Sequence, residues 1–207
     1  MTARDARKPA GLVLCGGGSR RMGQSKAWLP FGPEKMLQRV VRLVGEAADP
    51  IVVAASPEQS LPPLPPNILI ARDLASDQGP LQGLRAGFAA LPPEAGLVYV
   101  TATDVPFLTP AWIVRLCDLI GTHDLAVPSS GGRLHPLSAL YRRDAALPVL
   151  ESMLGAGRLR LTEIANHLRT RIVEAGELAE IDPALNSLRN LNTPEDYRNA
   201  LQMLEGI

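Results

Sequence analysis

Short apolar runs alternate along this chain with segments in which apolar residues recur at helical spacing. Strands are predicted over residues 12–15, 51–55, 68–71, 97–101, 125–127 and 137–141, with an edge strand at Ile172 and Val173. Helices are predicted over residues 34–48, 81–91, 111–120, 144–154, 161–168 and 194–204. Because strands that alternate with helices pair in parallel through crossover connections, this order predicts an α/β fold with a mostly parallel, doubly wound (Rossmann-like) sheet.

The 207 residues suffice for one domain with a substantial core, and 46% of them are apolar. Residues 1–10 are polar and charged, and we expect a flexible leader there, followed by a single domain over residues 11–207. Lys and Arg total 21, as do Asp and Glu, so the chain lacks the basic excess typical of nucleic-acid binding. It shows neither a membrane-spanning apolar run nor a signal peptide, so we expect a cytoplasmic protein with no membrane partner.

A glycine-rich segment follows the first predicted strand and ends at Lys26. Gly16, Gly17 and Gly18 are consecutive, and two arginines follow them before the lysine. Glycines let backbone N–H groups turn towards an anion and let that anion approach closely. Since the basic side chains add full positive charge to these partial charges, the segment is suited to bind a polyphosphate.

The spacing of this segment excludes two common phosphate-binding loops. A Walker A loop needs Lys directly after its second glycine, but two residues separate Gly23 from Lys26, and Ala27 replaces the hydroxyl residue that binds Mg²⁺. A dinucleotide-binding fingerprint starting at Gly16 needs a third glycine at position 21, which is Arg21.

Two acidic residues, Asp73 and Asp104, come after the third and fourth predicted strands. Ligands of open α/β sheets bind beyond the carboxyl ends of the strands, so both residues and the glycine-rich segment should face one crevice. Carboxylate oxygen is the ligand that hard divalent cations prefer, and NTP chemistry uses Mg²⁺. A purely structural turn is the alternative for Asp104, which precedes Val-Pro. The Gly79-Pro80-Leu81-Gln82-Gly83 turn fits either a pocket wall or an ordinary helix start.

Two alternating asparagines precede the last predicted helix. Asn192 or Thr193 can cap that helix, with Pro194 at its first position. Capping does not explain the second asparagine, Asn190. If this stretch is a strand, residues two apart share a face, and both amides could contact one ligand.

The glycine-rich pattern Gly-Gly-x-Ser-x-Arg-Met-Gly-x-x-Lys, at residues 16–26, resembles that of nucleotidyltransferases that activate small molecules with NTPs. The chain is most similar to the molybdenum cofactor guanylyltransferase (MobA) family. Further matching segments are Asp104-Val-Pro, Gly79-Pro-Leu-x-Gly83, His135-Pro-Leu and Asn190-x-Asn-Thr-Pro-Glu-Asp196. The resemblance covers residues 11–204 and implies a nucleotidyltransferase-type α/β sheet.

The resemblance also implies the roles of particular residues. It implies nucleotide contacts from Leu14, Cys15, Gly16, Gly17, Gly18, Ser19, Lys26, Asp73, Gly79, Gly83 and Asp104. It implies catalytic roles for Lys26, Arg21 and Asp104, with Mg²⁺ as the cofactor bound by Asp104. Contacts with the second substrate are implied for Asn190, Asn192, His135 and Arg158.

Three of these residues have simpler alternatives. His135 lacks an identifiable carboxylate partner, so a structural histidine is as well supported as a catalytic one. Arg158 could meet a pterin phosphate or be solvated. Cys15 is better explained as a small apolar residue that ends a buried strand than as a nucleophile.

The implied reaction joins two anionic substrates. The terminal phosphate of the molybdenum (molybdopterin) cofactor attacks the α-phosphate of GTP, pyrophosphate leaves, and the guanine dinucleotide cofactor forms. Further implied partners are molybdoenzyme apoproteins or their chaperones. The alternatives are a CTP-dependent or sugar-phosphate nucleotidyltransferase of the same superfamily, and a non-catalytic protein that delivers nucleotide or cofactor. One departure bears on nucleotide preference, because Ala54 stands where the family often has Asn near the nucleotide. Either one base or ribose hydrogen bond is missing, or Ser56 replaces it.

Overall fold

An eight-stranded sheet forms the centre of the computed structural model, which describes residues 8–16, 25–72 and 79–205. Its main strand order is β10-β7-β9-β6-β1-β4-β5, and the short β8 pairs with β7. These strands are β1 (Ala10–Leu14), β4 (Ile51–Ala55), β5 (Leu69–Arg72), β6 (Leu97–Ala102), β7 (Leu125–Ser130), β8 (Arg133–Leu134), β9 (Ser138–Arg142) and β10 (Thr170–Glu174). A separate antiparallel pair is formed by β2 (Pro30–Phe31) and β3 (Glu34–Lys35).

Along the main path, β9 runs antiparallel to both of its neighbours, β6 and β7, whereas the other pairings are parallel. The carboxyl ends of β5, β4, β1, β6, β7 and β10 therefore meet at one edge of the sheet. The described helices are α1 (Met36–Ala47), α2 (Pro80–Ala90), α3 (Pro110–Ile120), α4 (Arg143–Gly155), α5 (Ala175–Leu178) and α6 (Pro194–Glu205).

Both faces of the sheet are covered by helices, because successive strand residues point to opposite sides. Val13 belongs to a buried cluster with α1 and α3, whereas Leu12 and Leu14 belong to a second cluster with α2 and α4. All five residues of β1 are buried, as a central strand of a two-faced sheet requires. The predicted doubly wound α/β fold is confirmed.

A third, smaller buried cluster joins the antiparallel pair to α6. Phe31 of β2, Met36 of α1 and Ala200 of α6 are fully buried in it, together with Leu191 just before α6. Tyr197 of α6 adds a hydrogen bond from its hydroxyl to the carbonyl of Pro30. Helix α6 is thereby held against the antiparallel pair of β2 and β3.

The structure adds β2, β3, β8 and α5 to the predicted elements and changes two of those predicted. β1 begins at Ala10, and Pro9 is also buried, so these two residues pack with the fold rather than in a leader. The predicted helix over 161–168 is a 3₁₀ helix over Leu161–Asn166, since the Thr170 hydroxyl binds the carbonyls of Ala165 and Leu168 and turns the chain towards β10.

The segment with the two asparagines, for which a strand was one possibility, belongs to no strand. Leu191 donates one backbone hydrogen bond to Asp104, and the chain then turns into α6, so no ladder forms. The edge position of Ile172 and Val173 in β10 is confirmed. No helix in the described part of the chain is both long and apolar enough to cross a bilayer.

Candidate functional site

A cavity of about 350 Å³ lies at the carboxyl ends of β1 and β6. Its wall combines residues from six separate segments of the described chain: Leu14, Cys15, Gly16, Ser25, Lys26, Ala27, Gln59, Ala102, Thr103, Asp104, Leu137, Asn190 and Asn192. This is the edge at which open α/β sheets bind ligands.

Asp104 and Lys26 form an ion pair in the wall of this cavity. Lys26 Nζ lies 2.6 Å from Asp104 Oδ2 and 3.1 Å from the Asn192 side-chain oxygen, Oδ1. Asn190 Nδ2 donates to the other carboxylate oxygen, Oδ1, at 2.9 Å. The side chains of Lys26 and Asp104 are 21% and 12% exposed, so the pair is shielded but reachable from the cavity. The four polar groups form one connected network.

Backbone contacts fix the position of Asp104. Thr103, just before it, donates from both its backbone N–H and its hydroxyl to the carbonyl of Leu14, each at 3.0 Å. Leu191 N–H donates to the Asp104 carbonyl at 2.9 Å, and Leu191 itself is buried. Because Leu191 is buried, its two asparagine neighbours project to the other side, towards Asp104 and Lys26. Asn190 and Asn192 thus converge as expected, although no strand forms here.

The donor set of the cavity fits a metal ion that is shared with phosphate oxygens, rather than a metal held by protein alone. No group of three or more His, Cys, Asp or Glu side chains suited to a metal occurs among the described residues. The ammonium of Lys26 shows that Asp104 Oδ2 accepts a cation on the cavity side. One carboxylate with phosphate and water oxygens is a typical Mg²⁺ environment. The buried Ser25 hydroxyl, without a hydrogen-bond partner in the described residues, adds a polar group suited to an anionic ligand.

Near the end of β4 the cavity is lined by an uncharged polar side chain, that of Gln59. Ser56 follows β4, and its hydroxyl lies 3.4 Å from where a β-carbon on Gly16 would be. Gln59 turns back to the cavity, where its Nε2 donates to Cys15 Sγ at 3.4 Å. Ala54, where the family often has Asn, faces α2 in the buried core, so the polar side chain that lines the cavity here is Gln59.

Cys15 shows the properties of a buried apolar residue. Burial raises the pKa of its thiol, although hydrogen bonds from Thr103 and Gln59 and the charge of Arg72 act in the opposite direction. A thiol with a raised pKa is a poor nucleophile at neutral pH. The geometry therefore favours a packing role for the Cys15 side chain.

The predicted site residues fall into three groups. The structure brings together Leu14, Cys15, Gly16, Lys26, Asp104, Asn190 and Asn192. Gly17, Gly18, Ser19, Arg21 and Asp73 lie outside the described residues. The remaining four, Gly79, Gly83, His135 and Arg158, lie outside the described wall of the cavity.

Those four residues have local surroundings of their own. Gly79 precedes α2 with a φ of +70°, a conformation that favours glycine, and Gly83 packs against Leu14. His135 follows β8 and has a buried Nε2 with no partner in the described chain. Arg158 Nη1 lies 3.3 Å from Nε2 of His167. Their predicted roles in binding stay predictions.

Sequence reasoning did not single out Gln59, Ser25, Thr103 or Leu137 as cavity residues. Thr103 and Ser25 had a signal, since each is adjacent to a predicted site residue. Gln59 had none, because it lies four residues beyond the end of β4, in a loop of ordinary turn composition.

Comparison with known proteins identifies relatives over most of the chain. Residues 11–170 match the family model of the MobA-like NTP transferase domain. The chain is 34% identical over 192 residues to molybdenum cofactor guanylyltransferase of Desulfosudis oleivorans, covering 92% of this chain and 93% of the relative. It is 37% identical over 204 residues to a probable molybdenum cofactor guanylyltransferase of Mycobacterium avium, covering 96% and 98%.

Solved structures show the same fold. Molybdopterin-guanine dinucleotide biosynthesis protein A of Archaeoglobus fulgidus superposes with a TM-score of 0.79 at 22% identity, covering 96% of this chain and all of that one. The 2-C-methyl-D-erythritol 4-phosphate cytidylyltransferase of Thermus thermophilus gives a TM-score of 0.67 at 16% identity, covering 95% and 99%. The fold thus occurs in proteins named for different nucleotides.

Proposed function

The chain belongs to the MobA-like NTP transferase family, and from that membership we propose that it transfers GMP from GTP to the molybdenum (molybdopterin) cofactor. A terminal phosphate oxygen of molybdopterin forms a bond to the α-phosphorus of GTP. The bond from that phosphorus to the bridging oxygen of the β-phosphate breaks, and pyrophosphate leaves with the electron pair. The product is the guanine dinucleotide form of the cofactor.

The single observation that carries this proposal is the network of Lys26, Asp104, Asn190 and Asn192 at the carboxyl edge of the sheet. It combines a cation, a carboxylate and two amides without an activated protein nucleophile. Transfer between two phosphates needs no such nucleophile, because the acceptor supplies its own oxygen. The protein's task is to position two anions and to offset their charge.

We assign Lys26 to the phosphates of GTP, where its ammonium stabilises the charge that develops on the leaving pyrophosphate. The family typically uses a divalent metal, and we propose that Asp104 holds Mg²⁺, which supplies Lewis-acid charge stabilisation when bound. Asn190 orients the Asp104 carboxylate through Oδ1. Asn192 and Asn190 have further amide capacity for the second substrate.

The direct test incubates the purified protein with Mg²⁺, molybdopterin and one labelled NTP at a time. We expect guanine dinucleotide and pyrophosphate with GTP, and their loss when a chelator removes the metal. Transfer from CTP instead, or transfer to sugar phosphates but not to molybdopterin, would contradict the proposal. Nucleotide binding without pyrophosphate release would support a delivery protein.

A separate experiment concerns the fate of the product. Release of the guanine dinucleotide only when a molybdoenzyme apoprotein or its chaperone is added would establish hand-over to those partners. Spontaneous release would limit the role of the protein to synthesis.

A further inference from the structure

The cavity has two chemically different ends, and the order of the strands separates them. Asp104 follows β6, Cys15 and Gly16 follow β1, and Gln59 follows β4, and these strands are neighbours in the order β6-β1-β4. Neighbouring strands lie about 4.8 Å apart, so the two outer strand ends are separated by about 10 Å. The charged network occupies the β6 end. The β4 end offers the uncharged side-chain amide of Gln59 beside Gly16, and the Arg72 guanidinium nearby is engaged by backbone carbonyls of the same loop. This end therefore suits a base better than a phosphate.

The side-chain amide of Gln59 has a defined orientation at this end. The backbone N–H of Ser56 can only donate, and it lies 3.3 Å from Gln59 Oε1. The NH₂ group must therefore point the other way, where it meets Cys15 Sγ at 3.4 Å. Sulfur is a weak acceptor, so this donor is held in place without being tied to a strong partner.

The loop that carries Gln59 is braced by Arg72 at the end of β5. Arg72 Nη1 donates to the carbonyls of both Ser56 and Gln59, at 2.9 and 2.7 Å. The Gln59 backbone N–H also donates to the Ser56 carbonyl, which closes a turn. The amide is thus preorganised, as a residue that reads a ligand must be.

We propose, on the basis of the guanylyl transfer inferred above, that Gln59 is a specificity-determining residue that reads the base of the nucleotide. Its Nε2 donates to O6 of guanine. Adenine and cytosine present an exocyclic amino donor instead of this acceptor, and they would face the NH₂ group of Gln59 with a second donor. Turning the amide around to suit them would set that NH₂ against the Ser56 N–H. The fixed orientation therefore selects GTP against ATP and CTP.

Titration calorimetry measures the affinity of the protein for nucleotides in a buffer that contains Mg²⁺ but no molybdopterin. Because no transfer can occur, it tests the role of Gln59 separately from turnover. The informative pair is GTP and 2-aminopurine riboside triphosphate, since the second lacks O6. We expect the wild-type protein to prefer GTP, and Gln59→Ala to reduce that preference roughly tenfold, the factor that one ordinary hydrogen bond supplies. ITP, which retains O6, should lose affinity in the variant as GTP does.

Two further variants separate base reading from damage to the loop. Gln59→Glu keeps an acceptor for the Ser56 N–H but replaces the donor, so it should reduce GTP affinity and relatively favour CTP and ATP. Glu58→Gln changes an exposed residue of the same turn and should leave the preference intact. Equal losses for GTP and the 2-aminopurine nucleotide in both Gln59 variants, or a wild-type protein indifferent to O6, would overturn the inference. Guanine-selective binding without transfer to molybdopterin would instead refute the proposed function alone.

Discussion

Asp104 is tied to two other parts of the chain through three different oxygens. Its two carboxylate oxygens accept from Lys26 and Asn190, and its backbone carbonyl accepts from Leu191. A carboxylate that only ended a turn would need none of these side-chain partners. The arrangement therefore favours the functional explanation of Asp104 over the turn alternative.

Removing the charge of Asp104 should abolish most activity while leaving the fold in place. Asp104→Asn retains an oxygen for Asn190 but loses the anionic partner of Lys26 and of a metal. We expect a loss of guanylyl transfer on the order of 10²-fold or more for this variant and for Asp104→Ala. Asp118→Asn, which alters an exposed carboxylate of α3, is the control. Near-wild-type turnover in Asp104→Asn would remove this residue from the mechanism.

His135 should make stability depend on pH in a known direction. Burial, with a smaller contribution from Arg133, lowers the pKa of His135 in the folded protein. Between the unfolded value of about 6.5 and the lower folded value, the unfolded chain binds a proton that the folded protein does not. The histidine therefore reduces stability as the pH falls through that interval.

Urea unfolding at about pH 7.5 and about pH 5.5 measures this effect around the ordinary histidine pKa. We expect the free energy of unfolding to fall less in His135→Gln than in the wild type over this change. Arg133→Gln removes the charge that also lowers the His135 pKa, so its free energy of unfolding should fall by an intermediate amount. An identical fall in wild type and His135→Gln would contradict the expectation.

At the scale of elements, α2 packs unusually close to β1. A β-carbon on Gly87 would lie 2.3 Å from Leu12 Cδ1, and one on Gly83 would lie 3.2 Å from Leu14 Cδ2. The two glycines are four residues apart and so share one face of the helix. This face allows α2 to lie directly on the strand that leads into the cavity.

Gly87→Ala should therefore destabilise the protein, although alanine favours helices. The added methyl group overlaps the buried side chain of Leu12, which projects from β1 towards α2. Overpacking of this kind costs about 1–3 kcal/mol. Gly155→Ala in α4, where nothing lies within 4 Å, is the matched control and should be neutral or stabilising. Denaturant unfolding of both variants measures the difference, and equal stabilities would contradict the close packing.

Most elements could be predicted because strong periodicity and turn residues mark them. The apolar residues of α1 recur every three or four positions, and α3, predicted over residues 111–120, begins at Pro110. The segment at Asn190 could not be assigned correctly, because its alternation is produced by Leu191 entering a distant cluster rather than by strand pairing. Likewise, the Thr170 hydroxyl shortens the preceding helical turn by binding the carbonyls of Ala165 and Leu168, which apolar periodicity does not record.

At the scale of the whole molecule, Lys26, Asp104 and Asn192 could be predicted to converge because parallel strand ends share an edge and a family resemblance marks the last residue. Gln59 could not be predicted, since its place depends on how Arg72 folds the loop after β4 back over the cavity. The sequence therefore predicts the end of the cavity at Lys26 and Asp104 better than the end at Gln59.

Nucleotide binding should stabilise the whole protein in a metal-dependent way. GTP at about 100 times its Kd should add about 2.7 kcal/mol to the free energy of unfolding and raise Tm by roughly 5–10 °C. A chelator should remove much of this Tm shift. In Asp104→Asn, the Tm shift caused by GTP should be nearly the same with and without the metal. Thermal denaturation with GTP, CTP and ATP in parallel gives the comparison. Equal shifts for the three nucleotides would contradict selection at the base.

The network around Asp104 joins side chains that are 78 to 166 positions apart in the chain. Synthesis proceeds from the amino end, and domains begin to fold while it continues. Ribosome-bound chains can therefore pair β1, β4 and β6 well before Asn190 and Asn192 emerge from the exit tunnel. A translation product interrupted in the α5 region would possess much of the sheet but only part of the site. Maturation of the site is thus postponed until the segment that precedes α6 has been made.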